Sequence, residues 1–492
     1  MQRRVSAKRI VDEAVKKGYT LTRRALNILD ASKDPLSILD QAINKLRREK
    51  PGSLIIDEDD IRRIIGGFSS PPKRIIEIKE EVSEPEPSIE VDDRFLKEYA
   101  IKGSIEEFRR YFTSRYEKLR RMLEKRIRGA MELNSILRLR EGQEAYAIAM
   151  ALKRRETEKA ILLKVDDLTT EATIIVPKNG GRLLNAAEYI LPDSVFAIRL
   201  YKRGESLIAK EIILPDIPSE APEKKLGHEA YVCMISDIHV GSKKFRRDLF
   251  ESFLDWINRA RDSEVKRIKF LVIAGDLVDG VGVYPNQQNE LEITSVNEQF
   301  EETSRLLAEI PKHIKVIIAP GNHEPIQKAL PQPPLQGRYK KILERHGRGY
   351  IYVGNPAWIR IGGRALLIYH GQGLDDVIQI IPGLSHSNLG ENIGRVLELL
   401  LKHRHLSPIY GESTPLMPLS EDLLVIDRVP DIFHLGHIHV AYAGAYRNVR
   451  LLNTGTWQEQ TSYQRSMGLN PTVGVAALVS LKDLTMKIKK FL

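Results

Sequence analysis

Five apolar runs from residue 231 onward in this 492-residue chain end abruptly in side chains of the types that bind metal ions. Tyr231 to Gly241 reads YVCMISDIHVG, with Asp237 and His239 two apart just past a strand-like run. LVIAGDLVDG brings Asp276 and Asp279, VIIAPGNHE brings Asn322 and His323, ALLIYHG brings His370, and DIFHLGHIHV brings His437 and His439. A buried strand carries apolar residues, so a polar side chain just beyond its end points into the rim where open α/β sheets build sites. A glycine beside most of these residues lets the backbone turn tightly. Asp-x-His alone is common by chance, but five such strand ends in order make a site.

The elements that must position them follow from periodicity. From Tyr231 onward, strand-like runs alternate with helical stretches such as Leu249 to Ala260, Phe300 to Ile310 and Ile393 to His403, and the chain finishes strand-rich from Ile432 to Leu481. That predicts an α/β domain over 227–492. Upstream, Gln143–Leu152, Glu158–Val165, Ala172–Val176, Val195–Arg203 and Ser206–Leu214 read as strands, with a helix over Leu183–Tyr189. Five strands with a helix after the third are the plan of an OB-fold barrel, placed at 135–226. With few aromatics (Tyr146, Tyr189, Phe196 and Tyr201), a packing role is favoured over single-strand contact.

Residues 94–134 read as a basic helical segment. Arg109 to Arg128 holds nine Lys or Arg against two Glu, while Phe112, Tyr116, Leu119, Leu123 and Ile127 recur at helical spacing. Two readings stand: a solvated helix packed by its apolar stripe, or a nucleic-acid or partner contact. Residues 69–93 are rich in Pro, Ser and Glu and read as a flexible linker. Before it, 1–68 reads as a small all-α module, with helices over Val5–Lys17, Leu21–Leu29 and Leu36–Arg48 and a fourth from Asp57. Such a tethered module suits protein binding.

Composition sets limits. At 42% hydrophobic and 29% charged residues, the chain reads as globular, and no apolar run approaches the ~20 residues of a membrane helix. The net charge of +10 permits a polyanionic partner. A single cysteine, Cys233, excludes an intrachain disulfide and a multi-cysteine zinc cluster, and it reads as a small buried hydrophobe. The N-terminus lacks an apolar signal core, so a cytoplasmic, nucleoid-associated location is expected.

The motif set Asp237-x-His239, Gly275-Asp276-x-x-Asp279, Gly321-Asn322-His323-Glu324, His370 and Gly436-His437-x-His439 resembles that of the calcineurin-like metallophosphoesterases. The connecting text (GDLVDGVGVYPNQ, PQPPLQG, YHGQGLDDVI, PIYGEST, LLNTGTWQEQT) is similar to the small subunits of archaeal family D DNA polymerases, over roughly 135–490. The resemblance implies two facing mixed sheets flanked by helices and two divalent metal ions. Asp276 would bridge them, with Asp237, His239 and His439 on one and Asn322, His370 and His437 on the other. Mn²⁺ suits these donors best, with Fe²⁺ and Zn²⁺ as alternatives. His323 would be a non-ligand that contacts the phosphate and protonates the leaving oxygen, and Asp279 would orient a ligand.

The activity implied is 3′→5′ exonuclease proofreading, with a large catalytic polymerase subunit and DNA 3′ ends as partners and a sliding clamp as a further candidate. Alternatives are a catalytically silent structural B-subunit, as in eukaryotic relatives with decayed motifs, or a repair nuclease of the same superfamily. Those nucleases place this domain first, whereas here it follows a barrel. Position 280 is Gly where serine/threonine phosphatases carry Arg, which argues against a protein phosphatase. Tyr284, in the loop from Val281 to Asn297, is a candidate to stack on a terminal base. The other seven histidines (His228, His313, His346, His386, His403, His405 and His434) match no motif and read as surface or core.

Overall fold

The computed structural model describes residues 6–49, 54–65, 86–179, 181–219, 229–259 and 262–491. They fall into two units, divided after Glu84. In the first unit the helical periodicity is realised in α1 (Ala7–Lys16), α2 (Arg23–Asp30), α3 (Pro35–Glu49) and α4 (Glu58–Ile65). Ile10, Ala14, Leu29, Leu39, Ile43 and Ile61 fall on one face of each helix and close the core. Thr22 starts α2 by accepting the Ala25 N–H. The module is not all-α, however: β1 (Thr20–Leu21) and β2 (Ile55–Ile56) pair in parallel. Strands of two residues leave no alternation to read.

The second unit opens with another correction. The end of the expected 69–93 linker is ordered as β3 (Ile89–Val91), antiparallel to a strand near residue 360, with Ile89 opposite Ile361 and Val91 opposite Ile359. A Pro- and Glu-rich surrounding hides so short a strand. Residues 69–85 of the linker lie outside the described residues.

The basic segment forms α5 (Ile105–Glu124), started by a capping box between Ser104 and Glu107 and followed by short α6 (Leu133–Ile136). Next come β4 (Glu144–Glu156), β5 (Ala160–Asp166), β6 (Glu171–Pro177), α7 (Gly181–Glu188), β7 (Val195–Arg203) and β8 (Ser206–Ile213). The five strands close into a barrel in the order β4-β5-β6-β8-β7. Alternate residues such as Ala147, Ala149, Leu163, Ile174, Phe196 and Ile198 fill it. The residues between them, Ile148, Met150, Val195 and Ala197, face outward and receive Tyr116, Leu119, Leu123 and Ile127 of α5 and the turn after it. The apolar stripe is therefore a packing face.

The remainder is a sandwich. Its first half supplies β9 (Tyr231–Ile235), α8 (Arg247–Arg259), α9 (Ser263–Lys266), β10 (Ile268–Ala274), α10 (Val296–Ala308), β11 (Lys315–Ala319), α11 (Gly337–Leu343) and β12 (Ile351–Tyr352). Then come β13 (Ala357–Ile361), β14 (Arg364–Tyr369), α12 (Gly373–Ile380), α13 (Leu389–His403), β15 (Ile432–Leu435), β16 (Tyr442–Tyr446), β17 (Val449–Asn453), α14 (Ser462–Ser466), β18 (Val475–Ser480) and β19 (Met486–Lys490). One six-stranded sheet runs β12-β11-β10-β9-β18-β19 and the other β16-β17-β15-β14-β13-β3. Each is parallel at its centre and antiparallel toward at least one edge.

Strand alternation explains the layers. Val232, Met234, Phe270 and Val272 of the first sheet meet Ile359, Leu366, Ile368 and Ile432 of the second between them. Cys233, Leu271 and Ile273 point the other way, onto Phe250 and Phe253 of α8 and Phe300 of α10. Leu367, Tyr369 and Phe433 likewise meet Leu374, Val396 and Leu400 of α12 and α13. Strands buried on both faces must be apolar throughout, as these are. Among the described residues, no helix is long and apolar enough to cross a membrane.

Candidate metal centre

The C-terminal ends of β9, β10 and β11 in one sheet and of β14 and β15 in the other converge on one rim. There the backbone bends sharply: Asp237, His239, Asp276, His437 and His439 all have φ between 52° and 70°. The left-handed region costs an L-residue roughly 1–2 kcal/mol, and it persists only where the surroundings over-determine it. Hydrogen bonds between the loops do so here. Asp237 N–H donates to the Gly275 carbonyl at 3.0 Å and His239 N–H to that of Asp276 at 3.1 Å. Gly275 has φ +88°, and a Cβ there would come within 2.3 Å of His370 Nδ1, so only glycine lets that imidazole sit against the turn.

All seven expected ligand residues, and His323, meet at this rim. His239 Nε2 lies 3.0 Å from His439 Nε2, and His439 Nε2 lies 3.3 Å from Asp237 Oδ1. Asp276 Oδ2 is 3.1 Å from His370 Nε2 and 3.8 Å from His239 Nε2, placing it between the two groups. Asn322 Oδ1 is 3.0 Å from His370 Nε2 and 2.9 Å from His437 Nδ1. His323 Nε2 also lies 3.8 Å from Asp276 Oδ2. Donor atoms of Asp237, His239 and His439 lie within 4.8 Å of one another, as do those of Asp237, Asp276 and His370 and of His239, Asp276 and His323. Carboxylate, amide and imidazole donors gathered this closely fit divalent first-row cations.

Each imidazole is aimed by its other nitrogen, the usual device for fixing a ligand's tautomer. His239 Nδ1 faces Asp279 Oδ1 at 3.1 Å, His370 Nδ1 donates to the Ala274 carbonyl at 2.8 Å, and His439 Nδ1 lies 2.8 Å from Gln464 Nε2. His437 Nε2 faces Asp375 Oδ2 at 2.8 Å. His323 Nδ1 donates to the Asp279 carbonyl at 2.6 Å, leaving Nε2 toward the cleft.

Electrostatics bind the cluster tightly. Burial disfavours charge on His370, but Asp276 and Asp237 outweigh it and hold that imidazole up at about 10. Burial likewise opposes ionisation of Asp276, yet His370 and His323 keep its carboxyl well below the usual range. Burial pulls His323 down, with Asp276 acting against it. Glu324 is buried beneath the site, where burial and Asp276 raise it to about 7. It accepts N–H groups from Asp276, Leu277 and Gly321.

The cluster opens into a cleft of about 200 Å³ whose far wall holds Tyr284, Tyr463, Met467 and Leu469. Tyr284 stacks on Tyr463 at 5.5 Å between ring centroids and 27° between planes. Sequence reasoning missed Asp375, Tyr463 and Gln464, which sit on helices, and His386, which bridges from Asp375 Oδ1 at 3.0 Å and lines the cleft. None ends an apolar run, so no local pattern marks them. His403, His405 and His434 are buried in the core, and His228 lies outside the described residues.

Comparison with known proteins places this architecture in a family. The family model for the DNA polymerase alpha/epsilon B-subunit matches residues 232–443. The "DNA polymerase II small subunit" of Pyrococcus furiosus is 38% identical over 79% of this chain, which spans 64% of that relative's length. Against Thermoplasma acidophilum the figures are 36%, 81% and 80%, and against Archaeoglobus fulgidus 33%, 96% and 96%. Among solved structures, a novel archaeal phosphodiesterase aligns at 12% identity and TM-score 0.28 over 53% of this chain and 98% of its own. That score adds nothing to the fold described above. With a third of its residues shared along almost the whole of both chains, the protein belongs to the small subunits of archaeal DNA polymerase II, the family D enzyme.

Proposed function

We propose that this chain is the 3′→5′ proofreading exonuclease subunit of a replicative DNA polymerase, and that it also holds the large catalytic subunit. The observation that carries the reading is the complete donor set converging on Asp276. Asp237, His239, Asp276 and His439 would hold one ion and Asp276, Asn322, His370 and His437 the other, with Mn²⁺ as the preferred metal. Two bound ions would supply an activated water and charge neutralisation on the phosphoryl oxygens.

The chain's own residues supply the rest. His323, anchored at Nδ1, presents Nε2 where a leaving oxygen would take a proton. Asp279 steadies both His239 and His323, one through its side chain and one through its carbonyl. The Tyr284–Tyr463 pair forms an aromatic ledge across the cleft, suited to a terminal base. A Cβ at Gly280 would lie 2.5 Å from the His323 carbonyl, so a phosphatase-type arginine has no room. The five-stranded barrel with its helix after the third strand supports an OB-fold assignment in a packing role.

The test is degradation of primers with mismatched 3′ ends by the purified chain, with and without the large subunit. Chelator should abolish cleavage, and Mn²⁺ should restore it better than Ca²⁺. Undiminished cleavage in excess chelator would remove the two-metal reading. No cleavage under any condition would leave the scaffolding role alone.

A further inference from the structure

Away from the metal cluster, a cavity of about 540 Å³ opens where the end of α5, the stretch after β8 and the loops following α13 and β16 meet. Five cationic side chains line it, Lys125, Arg126, Arg404, Arg428 and Arg447, against the two carboxylates Asp216 and Asp427. Both carboxylates are already paired, in part with these same cations, and Arg428 also pairs with Asp92. Asp216 takes Arg447 at 2.5 Å and the Tyr446 hydroxyl at 3.1 Å, and Asp427 takes Arg94 at 3.0 Å.

Arg404 is the exception among these cations. It is only 4% exposed, and its Nε has no hydrogen-bond partner. It also occupies the left-handed position that ends α13, with φ 54°, where glycine is the usual residue. Burial draws its pKa down to about 10, and Asp427 and Asp216 offset this only from a distance. A guanidinium so deeply set, with its Nε unsatisfied and its backbone strained, is destabilising alone, and an oxyanion would satisfy it.

The neighbouring surface suggests which oxyanion. The preceding turns of α5 line a second groove, of about 520 Å³, with Arg109, Arg110, Lys118 and Arg121 against Glu117 and Glu421. Arg121 on one groove and Met122 and the C-cap residue Lys125 on the next follow one another at the end of a 20-residue helix, roughly 30 Å long. Glu106 pairs with Arg109 and Arg110 and Glu421 with Lys118, so ion pairing accounts for those three, but not for Arg121 or Arg404. A ligand with repeated anionic groups matches such a track better than a single carboxylate.

We propose that the Arg404 cavity binds a phosphate group of a nucleic-acid strand whose backbone runs along α5, at a site separate from the metal cluster. The test uses the full chain in chelator, so that the metal centre is silent. Anisotropy of a labelled single-stranded oligonucleotide is followed over a salt series. Arg404→Gln should weaken binding on the order of tenfold and Lys125→Gln about threefold. Each should lower the slope of log affinity against log salt by about 0.7, the release expected for one single-strand phosphate. Arg404→Lys should restore part of the loss.

Unchanged affinity and slope in folded Arg404→Gln would overturn the proposal. If that variant fails to fold, an unchanged slope in Lys125→Gln, at the exposed C-terminal cap of α5, would do the same. Arg404-dependent binding of inorganic phosphate or a mononucleotide as tight as that of the oligonucleotide would assign the cavity to a free phosphate instead. Lost affinity for the large subunit, with DNA affinity intact, would assign it to a protein carboxylate. Either result overturns the nucleic-acid assignment.

Discussion

Arg115 Nε lies 2.7 Å from Asp422 Oδ2, and both side chains are fully buried. The pair ties α5, packed on the barrel wall, to the sandwich across 307 residues of sequence. His405 Nε2 meets the same carboxylate oxygen at 2.9 Å. Arg115 also donates to the Asp193 and Pro408 carbonyls, so its charge is well satisfied. Removing one partner would strand the other. Asp422→Ala should therefore destabilise the sandwich–barrel body by about 3–5 kcal/mol, whereas Arg115→Met with Asp422→Leu should lose much less. Urea unfolding of the single and double variants measures the difference, and equal losses would contradict the ion-pair account.

Burial pushes His405 down to about 4 and His403 to about 3, so the folded protein holds both neutral. The unfolded chain takes up these protons below about pH 6.5. The folded pKa values are lower, so this stability is fully present above pH 6.5 and is lost as pH falls toward 4. Each histidine should contribute up to about 1.4 kcal/mol per pH unit in that window. Thermal melts at pH 7.5, 6 and 5 should show a falling Tm, less steep in His405→Gln. A flat Tm profile over this range would exclude the effect.

Asp276 and His323 should separate under mutation. Asp276→Asn removes the charge lying between both donor groups and should lose cleavage together with one or both metals. His323→Ala should keep its metal and lose on the order of 10²–10⁴ in rate, the usual worth of a general acid. Metal content and primer degradation are measured on the same samples. His323→Ala cleaving at the wild-type rate would end the acid assignment, and lost metal in that variant would make His323 a ligand.

Tyr463 is 44% exposed and stacked on Tyr284 at the mouth of the cleft. If the pair receives a terminal base, Tyr463→Ala should weaken binding of a single-stranded 3′ end by about 1–3 kcal/mol. Hydrolysis of a small chromogenic phosphodiester, which has no base to stack, should be unaffected. Equal effects on both substrates would point to a disturbed metal cluster instead.

Much of this was legible in the chain. A strand buried on both faces must be apolar throughout, so an Asp, Asn or His ending such a run stands out, and all five strand ends could be marked without coordinates. Helical periodicity likewise exposed α5 and its apolar stripe, though not that the stripe packs on the outer wall of the barrel. β3 escaped because three residues in a Pro- and Glu-rich stretch carry too little pattern, and its pairing with β13 is made across 268 residues (Val91 to Ile359). Asp375, His386 and Tyr463 escaped because their contacts come from helices and turns that reach the rim only once the sheets face each other.

By itself, then, the sequence determined the donor types, their order and the strands that present them, because those depend on short-range patterning of apolar and polar residues. Only the tertiary structure decided that Asp276 stands between two donor groups, that five of the donor residues sit in left-handed backbone, and that the buried Arg404 leaves its Nε unsatisfied. These are relations between segments far apart in the chain. They are set by how two sheets and a helix close-pack, which no local pattern of residues encodes.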